Sequence, residues 1–382
     1  MKNINNSRPK LDTPLEFVET SDALARLAER LLQASRVAVD TESNSLHAYR
    51  EQVCLIQFSV PDGDYLVDPL ALDDLSPLSP VFSSPEIETI FHAADYDLIV
   101  LGRDFDFTCG RLFDTMWAGR ILGWDHVGLA DILQEHFDVR PNKKYQRYDW
   151  GRRPLNHKAK TYARMDTHYL IPLRDLQQAE LKAAGRWAEA QEVFEYLRTH
   201  VPEPPSPDPK TDFWRLKGLH RLNVREKRVL YRLHLWRERM AQEMDRPPFK
   251  VISRRRLINL AHIHPRSYKG LRAAGLTKYQ THRFGKGILK ALHAKPQPLP
   301  PMPPEDPTAP PEVQDRYEAL RAWRKDVARA RGVDSDVILP NATLWALAWE
   351  PPETAGDLLD VPGIGPWRQK TYGPDLLALL AY

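Results

Sequence analysis

The stretch RVAVDTESNS, residues 36–45, decides how the rest of the chain is read. Three small apolar residues, Val37, Ala38 and Val39, run into two carboxylates separated by one threonine, Asp40-Thr41-Glu42. A short run of β-branched residues bounded by polar ones predicts a strand. Side chains alternate across a strand, so Asp40 and Glu42 share a face. Two negative charges there repel one another unless a cation lies between them. A solvated strand end entering the polar loop at 43–45 is the ordinary alternative.

Working outward, Ser21 can cap a helix that carries Leu24, Leu27, Leu31 and Leu32 on one face. On the other side, VCLIQFSV (53–60) and DYLVDP (64–69) are joined by the turn PDG (61–63), a predicted hairpin. The apolar run ETIFHA (88–93) then precedes helical stretches at 97–104, 114–123 and 127–136, and one from Lys158 to Leu181. Antiparallel strands followed by strand–helix alternation predict an α/β domain built on a mixed sheet.

Two further acidic groups lie in this region. In FHAADYDLIVL (91–101), Asp95 and Asp97 fall about 200° apart on a helix, so only one can face a given cleft. Leu98, Val100 and Leu101 mark the buried side and favour Asp97; a helix-capping role is the alternative. In YARMDTHYLIPL (162–173), Tyr162 and Asp166 stack at i and i+4. A buried aromatic beside a surface Asp would give the same pattern. Taken together, several carboxylates and a tyrosine suit a hard cation, since oxygen ligands select Mg²⁺ or Mn²⁺ over zinc. A pair of such ions serves in-line displacement at phosphorus.

The rest of the chain is organised by proline and charge. Of 382 residues, 33 are proline, and they cluster in PEPPSPDP (202–209) and PQPLPPMPPEDPTAPP (296–311). Such runs cannot continue a helix and read as semi-rigid linkers. They divide the chain into a domain at 1–201 and segments at 210–295 and 312–382. Residues 210–295 hold 23 Lys and Arg against five acidic residues, a net of +18, so the formal total of +3 leaves −15 elsewhere. The two later segments also resemble each other. LHLWRERMAQEMDRPPFKVISRRRLINLA (233–261) aligns with LRAWRKDVARARGVDSDVILPNATLWALA (320–348), and Phe284-Gly285 with Tyr372-Gly373. Both carry apolar residues at helical spacing, so each is expected to be a small helical bundle.

Two cysteines, Cys54 and Cys109, exclude a disulfide framework and a Cys-rich zinc site. The polar start, Met1 to Leu15, lacks the apolar core of a secretory signal, and no stretch is apolar enough to span a membrane. A cytoplasmic location is expected.

In that order, DTE (40–42), HAADYDL (92–98) and Y-x-x-x-D (162–166) resemble the three exonuclease motifs of the DEDD superfamily. Tyr162 places the resemblance in the DEDDy branch; the histidine branch would have His at position 161, which is Thr. DPL (68–70), LFDT (112–115) and DWGRRPL (149–155) are similar to ribonuclease D, and the doubled tail looks like two HRDC domains. The resemblance implies an RNase H-like α/β exonuclease domain, then a strongly basic HRDC domain at 210–295 and a second at 312–382. It implies that Asp40, Glu42, Asp97 and Asp166 hold two divalent metal ions, Mg²⁺ or Mn²⁺, while Tyr162 orients the attacking water. The reaction implied is 3′→5′ release of 5′-nucleotides from RNA ends such as those of tRNA precursors. A DNA exonuclease of repair and a catalytically silent RNA-binding scaffold are the rival readings.

For the RNA partner, Arg225, Arg228 and Arg232 recur at helical spacing, and Arg254, Arg255 and Arg256 form a compact cluster. Such surfaces make salt-dependent phosphate contacts. Lys143, Lys144, Tyr145, Arg152 and Arg153 lie in a polar loop suited to a strand entry, with Tyr145 or Trp150 available to stack on a base; Trp150 in the core is the alternative. VPGIGPWRQKTYG (361–373) offers either glycine amides to a phosphate or a structural turn.

Overall fold

The structure, a computed structural model, describes residues 11–203, 208–303 and 309–381. Most of the polar start and the middle of each proline-rich run lie outside the described residues, as does the side chain of Lys143.

Six strands form one sheet: β1 (Leu15–Val18), β2 (Arg36–Ser43), β3 (Val53–Val60), β4 (Gly63–Val67), β5 (Glu88–Phe91) and β6 (Leu112–Asp114). Their spatial order is β1-β4-β3-β2-β5-β6. β2 pairs antiparallel with β3 and parallel with β5, so the sheet is mixed. Val60 faces Gly63 across the predicted hairpin turn. All eight residues of β3 are buried, which explains its continuous apolar run. The two edge strands were not legible in the sequence. LEFV and LFD are too short to show a period, and β6 precedes a helix whose signal dominates.

Counting helices of six residues or more, the α/β part contains α1 (Ser21–Leu32), α2 (Asp95–Phe105), α3 (Thr115–Leu122), α4 (Leu129–Phe137), α5 (His157–His168), α6 (Leu170–Ala183) and α7 (Trp187–Thr199). The single helix expected over 158–181 is divided at Tyr169. Pro172 has no N–H to continue the ladder and falls in the first turn of α6, where none is needed. The larger core joins α1, β2 and β5 to α6 and α7. A smaller one gathers Cys54, Leu55, Leu66, Trp150, Leu155 and Tyr162 beside α5.

The later residues form α8 (Val224–Glu243), α9 (Arg254–Ile263), α10 (Tyr268–Ala273) and α11 (Lys278–His293), then α12 (Pro311–Arg331), α13 (Asn341–Trp349) and α14 (Pro366–Leu380). The aligned positions of the repeat share one role: Leu257 and Leu344, Phe284 and Tyr372, Ile288 and Leu376 are all buried. The chain divides into two compact units. One comprises Met1–Ser43, Val53–Pro204 and Thr308–Tyr382; the other comprises Asn44–Gln52 and Pro205–Pro307.

Within the first unit, the terminal helices are fixed to α7. Arg331 on α12 donates twice to the fully buried Glu189 carboxylate, at 2.8 and 2.7 Å, and also to the Tyr372 hydroxyl. Glu192, one turn along α7, accepts from the backbone N–H of Trp367 at 2.7 Å and of Arg368 at 3.3 Å. A carboxylate of the protein itself thus sits on the α14 N-terminus, where unsatisfied N–H groups favour an anion. The VPGIGPW loop is therefore a structural turn, of its two readings. A Cβ at Gly365 would come within 2.5 Å of the Glu192 carboxylate. Gly365→Ala should displace that cap and lower unfolding free energy by about 1 kcal/mol in urea titration; an unchanged midpoint would contradict it.

Candidate active site

β2 and β5 are parallel neighbours inside the sheet, and their carboxyl ends open on the same side, where open α/β sheets place their ligands. Asp40 and Glu42 end β2, and a bulge follows immediately between Glu42 and Ser43. Asp166 comes from α5. Single carboxylate oxygens of Asp40, Glu42 and Asp166 all lie within 4.8 Å of one another. Asp97, buried on α2, stands beside this trio and accepts from Thr41 Oγ1 at 2.5 Å. Tyr162, one turn before Asp166, is buried in the smaller core against Tyr145, with ring centroids 5.6 Å apart. Asp95 goes elsewhere: it lines a separate cavity with Trp117 and Arg120.

Burial, followed by the charges of Asp97, Asp166 and Glu42, holds the Asp40 carboxyl well above the usual range. Burial and then Asp166 and Asp97 do the same to Glu42. Burial alone pushes Asp166 up to about 8. Desolvated, mutually repelling carboxylates form a donor set that a cation would relieve, and an all-oxygen set fits Mg²⁺ or Mn²⁺. Burial and the facing carboxylates also raise the Tyr162 hydroxyl, so it remains an O–H donor.

A stability test follows from these shifts. In the unfolded chain the Asp groups titrate near 4, roughly. Between that pH and about 8, folded Asp166 holds the extra proton, so its contribution is lost as pH rises through the window. Without divalent ions, the melting temperature should therefore fall from acid to pH 8, and Asp166→Asn should flatten that fall. Added Mn²⁺ should restore the wild-type value. An Asp166→Asn slope equal to wild type would sink the assignment.

A family model for a 3′-5′ exonuclease matches residues 15–182, and the HRDC domain model matches twice, at 226–292 and 313–380. The chain is also similar to Escherichia coli RNase D, an exoribonuclease involved in structured RNA processing. That structure is 26% identical at TM-score 0.65, over 96% of this chain and 98% of that one. The chain thus carries a 3′-5′ exonuclease domain followed by two HRDC domains. It is also similar to the catalytic core of Trypanosoma brucei RRP6, 28% identical at TM-score 0.66 over 75% of this chain and 82% of that one. The Saccharomyces cerevisiae exosome complex exonuclease RRP6 is 35% identical over 270 residues, 67% of this chain and 37% of that protein. The chain spans about a third of the length of the curated relatives it matches.

Three residues position the candidate site without having been singled out by spacing. Gln57 faces Asp40 across the β2–β3 ladder and donates to its Oδ2 at 3.3 Å; it is the one amide in VCLIQFSV, and that was its signal. Asp114 is fully buried and accepts from the backbone N–H of Ala93, Ala94, Met116 and Trp117. It thereby fixes the turn that launches α2, where Ala93 has a left-handed φ of 64°. Asp-Thr ahead of a helix is an N-cap pattern, legible in LFDT. Asp64, 1% exposed, accepts from Arg164 Nε at 2.7 Å and from Ser59, and contacts His168. Burial raises its carboxyl, but hydrogen bonds with His168, Ser59 and Thr13 hold it below the usual range. Arg164 and His168 lie across α5 from Tyr162, so this network secures the helix from behind.

The expected RNA contacts divide. Arg153 commits all five donors: two to Asp68, and one each to the carbonyls of Trp150, Arg152 and Cys54. It is a structural arginine, with no donor left for phosphate. Trp150, 1% exposed, is core. Lys144 and Arg152 are exposed, and Tyr145 is half-buried against Tyr162. Arg225, Arg228, Arg254 and Arg255 are exposed, whereas Arg256 donates to the Gly275 carbonyl. Arg232 is buried and donates to the carbonyls of Ala291 and Leu292. Among the described residues, no helix is long and apolar enough to cross a membrane.

Proposed function

We propose that this protein is a divalent-metal-dependent 3′→5′ exoribonuclease that releases 5′-nucleotides from the ends of structured RNA, tRNA precursors being the substrate class. The observation that carries the reading is the convergence of Asp40, Glu42 and Asp166, with Asp97 beside them, at the carboxyl end of the central strands. These four carboxylates would hold the ions. Divalent cations, when bound, supply the positive charge that displacement at phosphorus requires.

The chain's own groups account for the rest. Gln57 and Thr41 fix the directions of the Asp40 and Asp97 carboxylates. Tyr162, kept protonated, hydrogen-bonds the attacking water and orients it without taking its proton. Its ring, packed on Tyr145, closes one wall of the site. The domain reading that goes with this function is an exonuclease domain at 1–201, a basic HRDC domain at 210–295 and a second HRDC domain at 312–382.

The deciding experiment compares a labelled RNA with its DNA counterpart, in Mg²⁺, in Mn²⁺ and in chelator. Stepwise 3′ shortening of RNA that stops in chelator is the expected result. Preferential shortening of the DNA would favour a DNA exonuclease, and binding without cleavage in either metal would favour a scaffold.

A further inference from the structure

The basic unit contains a cavity of about 500 Å³ between the first turns of α8, the C-terminal residue after α9 and the end of α11. Arg225, Arg228, Arg232, His264 and His293 line it, and no acidic side chain does. The acid closest in sequence, Glu226, is committed elsewhere, accepting from the Asn223 N–H in its capping box and pairing with His262. Arg225 and Arg228 have no carboxylate partner among the described residues, whereas Arg215 and Arg237 of the same unit do.

A helix C-terminus would normally oppose an anion here, because its free carbonyls carry partial negative charge. At α11 those carbonyls are covered. Arg232 donates to Ala291 and Leu292, and His264 Nε2 lies 3.1 Å from the Leu292 carbonyl. His293 Nε2 lies 3.2 Å from the Pro265 carbonyl. Each ring engages a carbonyl through Nε2, which leaves Nδ1 as its uncommitted ring nitrogen. The two rings stand edge to face, 4.9 Å between centroids. Desolvation first, then His293, Arg225 and Arg232, lowers the His264 imidazole. Arg225 and Arg232 are therefore close enough to disfavour a proton on His264.

We propose that this cavity receives a single phosphate group, supplied by the backbone of an RNA strand. The proposal rests on the exoribonuclease reading and deepens it by assigning a holding site outside the carboxylate cluster. A solvated helix face would scatter its arginines over separate phosphates; here they converge on one concavity with no counter-charge.

The test reads binding, not turnover, using the full chain carrying Asp40→Asn so that the RNA survives. For single strands, log K falls with log salt by about 0.7 for each phosphate neutralised. The double variant Arg225→Gln/Arg228→Gln should reduce that slope by about 0.7, with an unchanged melting temperature. A slope equal to the parent overturns the proposal, and a reduction of about 1.4 or more overturns the single-phosphate geometry.

In parallel, the ring resonances of His264 and His293 should move at stoichiometric oligonucleotide and stop moving in the double variant. If they move instead with inorganic phosphate or a 5′-mononucleotide but not with oligonucleotide, the site serves free phosphate and the RNA assignment fails. A wild-type protein without nuclease activity would sink the function proposed above, while the slope and the resonances would still decide this site.

Discussion

Asp40→Asn should reduce the rate of 3′-nucleotide release by about a thousandfold or more, a loss of roughly 4 kcal/mol of transition-state stabilisation. The substitution keeps the shape and the contact with Gln57 but removes one charge from the group that would hold the cations. RNA affinity in Mg²⁺ should stay within about threefold, since in the proposed reading the exposed basic surface supplies most of the phosphate contacts. Misfolding is separable from this effect. Removing one of several repelling, buried carboxylates should leave the metal-free melting temperature equal to wild type or higher. Single-turnover decay of labelled RNA measures the loss. Residual activity within tenfold of wild type would remove Asp40 from the site, and a lowered metal-free melting temperature would mean that its role is structural.

The sequence made this site legible because its chemistry is local. Asp40 and Glu42 are two apart on a strand, and Tyr162 and Asp166 four apart on a helix, so each pair needs only backbone periodicity to share a face. What brings the pairs together is not local. Asp114 ties the turn before Asp97 from 17 residues downstream, and Asp64 secures Arg164 from a strand 100 residues upstream. Neither partner has a periodic signature, since a buried polar network is specified by three-dimensional satisfaction rather than by spacing. The same limit applies to arginine. Arg153 and Arg152 read alike in DWGRRPL, yet five acceptors surround one and the other is exposed. The proline runs mark where composition changes, but not which segments pack together: residues 308–382 join the α/β part in one compact unit.

That packing yields the second large effect. Arg331→Met should destabilise the first unit by about 3–5 kcal/mol, because it leaves the Glu189 carboxyl buried without its guanidinium partner. Glu189 is fully buried on α7, and both of its carboxylate oxygens accept from the Arg331 guanidinium. Arg331 is also the partner of the Tyr372 hydroxyl, so one substitution strands two polar groups. Methionine keeps the length and apolar volume of the stem, which confines the change to the charge and its hydrogen bonds. Replacing both members, Glu189→Gln with Arg331→Met, should recover most of the loss, since the penalty comes from an unpaired buried charge rather than from the pair's net attraction. Urea unfolding of the full chain should show the single variant with a markedly lower midpoint and the double variant near wild type. A single-variant loss below about 1 kcal/mol would mean that Glu189 reaches solvent or another cation once Arg331 is gone, and that the ion pair does not hold the terminal helices to α7.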